Sequence, residues 1–584
     1  MRKWNRWIPR AVVAAAMLTG GDRISAQSQN AVTGAPVETL DGKLISLPTV
    51  VATPVASVPV ADVPVPTVTV AEPAAILAAG GCPSCGDTGC VTCQPFHFKK
   101  VPPNRPAPRP GAFPIPPSGK GAYTLLTELR GGQTDGPPKS GYAPIGLMPP
   151  SFFDSDFRYL EDPKTPPKDA SDRMKRMKIG DDFMLSLGGS AWSRYMNEYN
   201  SRLTQRDNVY QLSRARIYSD LWYQDKLRFY IEGIASYTQF QDLPPLAIDE
   251  TGPDFLNLFI DAKVAEVGGN PVYLRVGRQE VSLGSQRLIS NLEWGNTRRT
   301  FQGFRLMQTT EKWDTDLFWV QPVIPNANKL DSGDNNVNFA GAWATYKPKK
   351  GTTVDMYYLM LDNTNRVTQQ GINRQPSTVH TLGGRYAGDT NGEFLWDAEL
   401  ALQLGRQGKQ DIVAGMVTTG LGYHSKTLPW NPTLWAYYDY ASGDDNPNSG
   451  RYNTFSQLFP FGHYYMGWVD LVGRQNIHDV NFHLYVYPAK WLTCWVQFHN
   501  FWLDSGRDAL YNVGGNATRR DPTGRAGTFV GNEIDLVTNF HLTPRSDLLV
   551  GYSHLFGGGF LRNTSGPNAS VNSSLFYMQY GVRW

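Results

Sequence analysis

Ser574-Leu-Phe-Tyr-Met-Gln-Tyr-Gly-Val-Arg-Trp584 is the stretch whose reading decides the fold. Side chains of an extended chain alternate between two faces. Phe576, Met578, Tyr580, Val582 and Trp584 therefore share one side, and Tyr577, Gln579, Gly581 and Arg583 share the other. The first face suits an apolar medium, whereas the second carries an amide and a guanidinium that hydrocarbon rejects. Two surroundings fit such a strand: the half-buried sheet of a soluble β-domain, or a bilayer around a closed barrel. The rest of the chain chooses between them.

Working back from this strand, the same alternation recurs as far as Asp182. Extended segments of roughly 9 to 15 residues follow one another, the first near 183–196, and they total about 18, the even number a single-chain barrel needs. Short turns at Gln224-Asp225, Glu266–Asn270, Glu311–Trp313, Pro348–Gly351, Asp389–Gly392, Pro488-Ala489 and Pro544-Arg545 alternate with longer loops at Val281–Arg299, Asn363–Ser377, Ser442–His478 and Leu503–Thr528. Outer-membrane barrels have short turns at one end and long loops at the other, and a soluble sandwich has no cause to alternate so regularly. The expected fold is all-β: a transmembrane, antiparallel, up-and-down β-barrel over 183–584 behind a low-complexity N-terminal extension. Trp584 also resembles the terminal aromatic assembly signal of bacterial outer-membrane proteins.

Composition agrees. Aromatics make up 12% of the 584 residues, yet mean hydropathy is −0.37. After the leader, no run approaches the roughly 18 apolar residues of a spanning helix; alternating strands instead average to a polar value. A formal net charge of +3 gives no reason to expect nucleic acid as a partner.

The first 26 residues read as an export signal. Arg2, Lys3, Arg6 and Arg10 precede the apolar run Ala11–Leu18, and Ser25-Ala26 supplies small residues for cleavage. Residues 27–120 form a Pro/Val/Ala-rich stretch with little to bury, expected as an extended periplasmic tether. Within it lies Cys82-Pro-Ser-Cys85 and, after a short gap, Cys90-Val-Thr-Cys93. Four thiolates at this spacing fit one structural zinc; two disulfides fit an exported chain equally well, and thiol–disulfide exchange is the third use open to them. No other cofactor is expected. Residues 121–182 carry Tyr142, Met148, Phe152, Phe153, Phe157 and Tyr159 among prolines, and are read as a periplasmic or plug-like segment.

Strand parity then sorts the polar residues, because a charge on the lipid side near the midplane costs about 2–4 kcal/mol. Arg194, Arg214, Arg216, Arg228, Arg275, Arg305, Arg385 and Arg583 fall on polar faces, with Asp220, Glu232, Asp316, Asp397, Glu399, Glu533 and Asp535 as acidic neighbours. Arginine suits repeated carboxylate contacts, since its planar fork stays charged. The same residues also suit cross-strand ion pairing that merely stiffens the wall.

Leu274-Arg-Val-Gly-Arg-Gln-Glu280, Gly284-Ser-Gln-Arg-Leu288 and Trp294-Gly-Asn-Thr-Arg-Arg-Thr-Phe-Gln-Gly-Phe-Arg-Leu306 together resemble the alginate export family of outer-membrane proteins. Glu533-Ile-Asp-Leu536 and Gly551-Tyr-Ser-His-Leu-Phe556 are similar too. The resemblance spans roughly 180–584. It implies an 18-stranded barrel whose arginine-lined conduit passes an acidic polysaccharide outward, with Arg278, Arg287, Arg298 and Arg299 in or beside it. The many acids and the Pro/Cys-rich extension depart from that pattern.

Three functional classes follow. The first is a channel for an anionic polysaccharide or sugar acid, and a general porin is its variant. The second is an envelope barrel embedded in outer-membrane lipid, its tether holding the cell wall or a periplasmic export partner. The third, an enzyme, is not expected: His483, His499 and His541 fall on polar faces, but no nucleophile motif accompanies them.

Overall fold

The computed structural model describes Phe98, Val101 and residues 110–142, 149–165, 169–369 and 373–584. The leader, the cysteine cluster (Cys82, Cys85, Cys90, Cys93) and most of the tether lie outside the described residues.

Eighteen long antiparallel strands close into one barrel. They are β1 (Phe183–Tyr199), β2 (Asn208–Tyr223), β3 (Leu227–Gln239), β4 (Thr251–Val267), β5 (Asn270–Gln279) and β6 (Phe301–Thr309). Then come β7 (Trp313–Ile324), β8 (Val337–Lys349), β9 (Thr352–Gln369), β10 (Asn373–Thr390), β11 (Phe394–Gln407) and β12 (Gln410–His424). The last six are β13 (Thr433–Ala441), β14 (Ile477–Ala489), β15 (Leu492–Trp502), β16 (Phe529–Thr543), β17 (Ser546–Gly557) and β18 (Ser573–Arg583). Each strand pairs with its chain neighbours, and β18 returns to β1 with Gln579 opposite Arg194 and Gly581 opposite Trp192. Closure satisfies the backbone groups that an open edge would leave in hydrocarbon.

Side-chain exposure follows the alternation read from the sequence. Ile217 on β2 is 64% exposed, while its neighbours Arg216 and Tyr218 are buried. Leu400 and Leu402 face out on β11, and Glu399 and Gln403 face in. On β18, Phe576, Met578 and Tyr580 are exposed and Tyr577 is fully buried. So continuous an apolar outer surface belongs in lipid.

Two expectations are corrected. Asn363–Ser377 is not a loop: β9 and β10 continue through it, with Val367 opposite Gln375. Its sequence, rich in Asn, Thr, Arg and Gln, carries no apolar alternation by which a strand could be read. The second concerns the tether, read as ending at 120. The chain is already inside the barrel at Gly111-Ala112-Phe113, all three buried.

The lumen is filled from both ends. Residues 280–300, between β5 and β6, and 442–476, between β13 and β14, fold inward from the long-loop end. They bury Leu288, Ile289, Phe455, Tyr464, Tyr465 and Trp468 in one cluster with wall residues such as Trp343 and Trp435. From the short-turn end come Ala112-Phe113 and, in a second cluster, Tyr142, Phe152, Phe153 and Phe157 against Tyr218, Tyr230 and Phe259.

Candidate functional site

Most wall arginines are matched to acids by strand register. Arg275 on β5 stands opposite Asp261 on β4 and opposite Arg305 on β6. Two guanidiniums side by side repel, and each turns to a carboxylate. Arg275 donates from Nε and Nη2 to Asp261 at 2.7 and 2.8 Å, and Arg305 donates from Nε to Asp316 at 2.6 Å. Arg216 meets Glu232 at 2.6 Å, Arg228 meets Asp220 at 2.7 Å, and Arg385 meets Asp397 at 2.7 Å. These buried pairs hold neighbouring strands in register.

The inward loops extend the network. Arg287 reaches Asp397 at 2.6 Å and Glu399 at 3.0 Å. Arg298 pairs with Glu280 at 2.5 Å and with Glu293. Arg299 instead donates to the Pro460 carbonyl at 3.2 Å beneath the Phe459 ring. Burial lowers its guanidinium to about 10, which leaves it charged at neutral pH. Arg278 is a correction to the expected conduit. It shares the face of Val276, not that of Arg275, and binds Asp254 at 3.3 Å and the carbonyls of Phe255 and Asp331 at the outer rim.

Glu533 and Asp535 are fully buried behind the second inward loop, where Glu533 accepts Val469 N at 2.8 Å. His499 sits between Asp479 (2.8 Å) and Asp535 (3.8 Å), and His483 bonds Asn481 at 2.9 Å.

One cavity of about 780 Å³ differs from this balanced network. Six cationic side chains line it, Arg194, Arg214, Arg216, Lys490, Arg545 and Arg583, with the carboxylates of Glu293 and Asp547; Arg216 keeps its pair with Glu232, and Arg545 binds Asp169 and Asp172 at 2.9 and 2.6 Å. Arg194 donates to the Gln579 amide oxygen at 2.8 Å and the Trp294 carbonyl at 2.9 Å, and its guanidinium lies 3.7 Å over the Trp294 ring. Arg214 pairs with Glu293, but its Nε, like Nε1 of Trp192 and Trp495, is a buried donor with no hydrogen-bond acceptor among the described residues.

The sequence pattern that defines the alginate export family matches residues 183–573. The chain belongs to that family. As a family member it is an outer-membrane β-barrel of the channel class. No curated protein sequence matches the chain significantly. Among solved structures it is similar to the Pseudomonas aeruginosa outer membrane protein OpdK, with 12% identity and a TM-score of 0.47 over 68% of this chain and 99% of that one. OccD3 (OpdP) of the same organism gives 11% identity and a TM-score of 0.45 over 68% of this chain and 91% of that one.

Sequence reading missed Trp294, Tyr464, Tyr465 and Arg474 as lumen residues. Arg474 enters with the second inward loop and pairs with Asp439 on β13. The available clue was composition: Phe455, Phe459, Phe461, Tyr464, Tyr465 and Trp468 crowd a loop that would otherwise be solvated.

Proposed function

We propose that this member of the alginate export family passes an anionic polysaccharide or a sugar acid through its lumen. The observation that carries the reading is the cationic lining of the 780 Å³ cavity, in which Arg194 and Lys490 bond carbonyl and amide oxygens and no carboxylate among the described residues. There the arginine forks offer paired donors to a carboxylate, beside the aromatic side chains of Trp192, Trp294 and Trp495 in the same lining. Glu293 and Asp547 keep any one site from holding too tightly, as conduction requires. Arg216, Arg228, Arg275, Arg305 and Arg385, each matched to an acid, chiefly stiffen the wall. On this reading the short-turn end faces the periplasm, where the N-terminal extension meets the cell wall or an export partner.

Single-channel recording in planar bilayers tests it. Polyuronate should block the current at concentrations where a neutral polymer of equal length does not. Equal block by both polymers would leave a general porin.

A further inference from the structure

The segment Pro110–Phe113 lies in the lumen without joining the sheet, and lumen side chains take its backbone groups. Arg385 Nη2 donates to the Pro110 carbonyl at 3.1 Å, and Gly111 N donates to Tyr465 Oη at 2.9 Å. Ala112 N donates to Tyr437 Oη at 2.7 Å, and Trp435 Nε1 donates to the Phe113 carbonyl at 3.0 Å. The Phe113 ring packs edge-on to Trp435 at 5.0 Å. Gly111 is fitted so closely that a Cβ there would fall on Arg287 Nη2 and Asp397 Oδ2. The peptide thus occupies the central guanidinium, carboxylate and hydroxyl groups of the barrel.

Three features mark this strap as an occupant and not as part of the wall. The sheet closes without it, through β1 and β18. Pro110, Pro114, Pro116 and Pro117 lack the N–H groups a strand needs for pairing, and they favour an extended chain with no internal hydrogen bonds. A collar then holds it at the short-turn end, where Lys490 Nζ donates to the carbonyls of Ser118, Gly119 and Lys120 at 2.6, 2.8 and 2.7 Å. From this collar, residues 110–113 reach into the lumen.

We infer that Pro110–Phe113 is a built-in, displaceable plug: it occupies the transport path through contacts that a polyhydroxylated, carboxylate-bearing chain would use, and the path opens when the strap leaves. The inference rests on the channel reading above.

The test uses the full chain in planar bilayers. Gly111→Leu cannot seat against Arg287 and Asp397, so it should raise single-channel conductance several-fold over the wild type while the unboiled protein keeps its heat-modifiable gel band. A synthetic peptide of residues 110–118, added from the short-turn side, should return the variant to wild-type current. Phe113→Ala, which loses the Trp435 contact, should act in the same direction and serves if Gly111→Leu does not fold. Wild-type conductance in a folded variant would overturn the plug and leave the channel standing. Silence of the wild type and of every folded variant would overturn both.

Discussion

Arg287 and Asp397 meet inside the barrel, Nη2 donating to Oδ2 at 2.6 Å with neither side chain exposed. One belongs to a loop that enters from the long-loop end and the other to β11 of the wall. Asp397 also takes Arg385, and Arg287 also takes Glu399, so the contact ties an inward-folded loop to the barrel wall.

Breaking that contact from the loop side should free the loop and spare the barrel. Removing one partner of a buried ion pair costs about 3–5 kcal/mol, because the other charge stays buried. Arg287→Met is expected to lose hydrogen-exchange protection in residues 281–299 by that order, with the strand amides of β10 and β11 unchanged. Equal loss in strand and loop would show that Arg287 stabilises the wall itself.

The wall arginines and the cavity arginines should separate experimentally. Arg275→Gln with Arg305→Gln takes the nearest guanidinium from Asp261 and Asp316, so the barrel should lose stability by several kcal/mol while keeping its ion preference. Arg194→Gln with Arg214→Gln removes charge from the cation-rich cavity. Anion preference should fall there, and what remains should respond less to added salt, since screening had acted on those charges. Reversal potentials in a salt gradient report preference, and urea midpoints of the heat-modifiable form report stability. Matching effects from the two double variants would erase the distinction.

The outer face offers a control on architecture. Ile217 is 64% exposed between the buried Arg216 and Tyr218, so Ile217→Arg puts a charge into lipid at a cost of about 2–4 kcal/mol if it lies near the midplane. Folding into bilayers should weaken by that amount. A neutral result would place Ile217 outside the hydrocarbon.

These contrasts show what could be read from the chain. Lipid forces a period of two on every strand, so Ile217 against Arg216, or Leu400 against Glu399, were assignable from spacing alone. Arg278 escaped because parity sets it on the outer face while its motif suggested the lumen. Tyr464, Tyr465 and Gly111 escaped for another reason. Their places depend on contacts hundreds of residues away, such as Gly111 N with Tyr465 Oη, and no local period marks a loop or proline-rich strap that turns inward. Arg287 lay in a quoted motif, yet nothing in that motif names Asp397 as its partner.

The second inward loop should respond to pH through Asp444. This carboxyl is fully buried at the loop's start, and its backbone N–H donates to Asp508 at 2.9 Å. Burial, with Asp508 and Asp445 nearby, pushes it from 3.8 up to about 6, against the hydrogen bond from Asn446 N and the charge of Arg520. Burial raises Asp508 as well, so the two groups act with one sign. A folded-state pKa above the unfolded value means that the docked loop holds the proton more firmly than the free loop does. Docking is therefore strongest below about pH 4, weakens as pH rises from about 4 to 6, and levels off above that. Hydrogen exchange across residues 453–476, corrected for the intrinsic pH dependence of amide exchange, should show protection falling through this window. Asp444→Asn should flatten most of the change, because its amide cannot ionise. Protection that grows from pH 4 to 6 would mean that Asp444 is better held charged in the folded loop, by a partner such as Arg520.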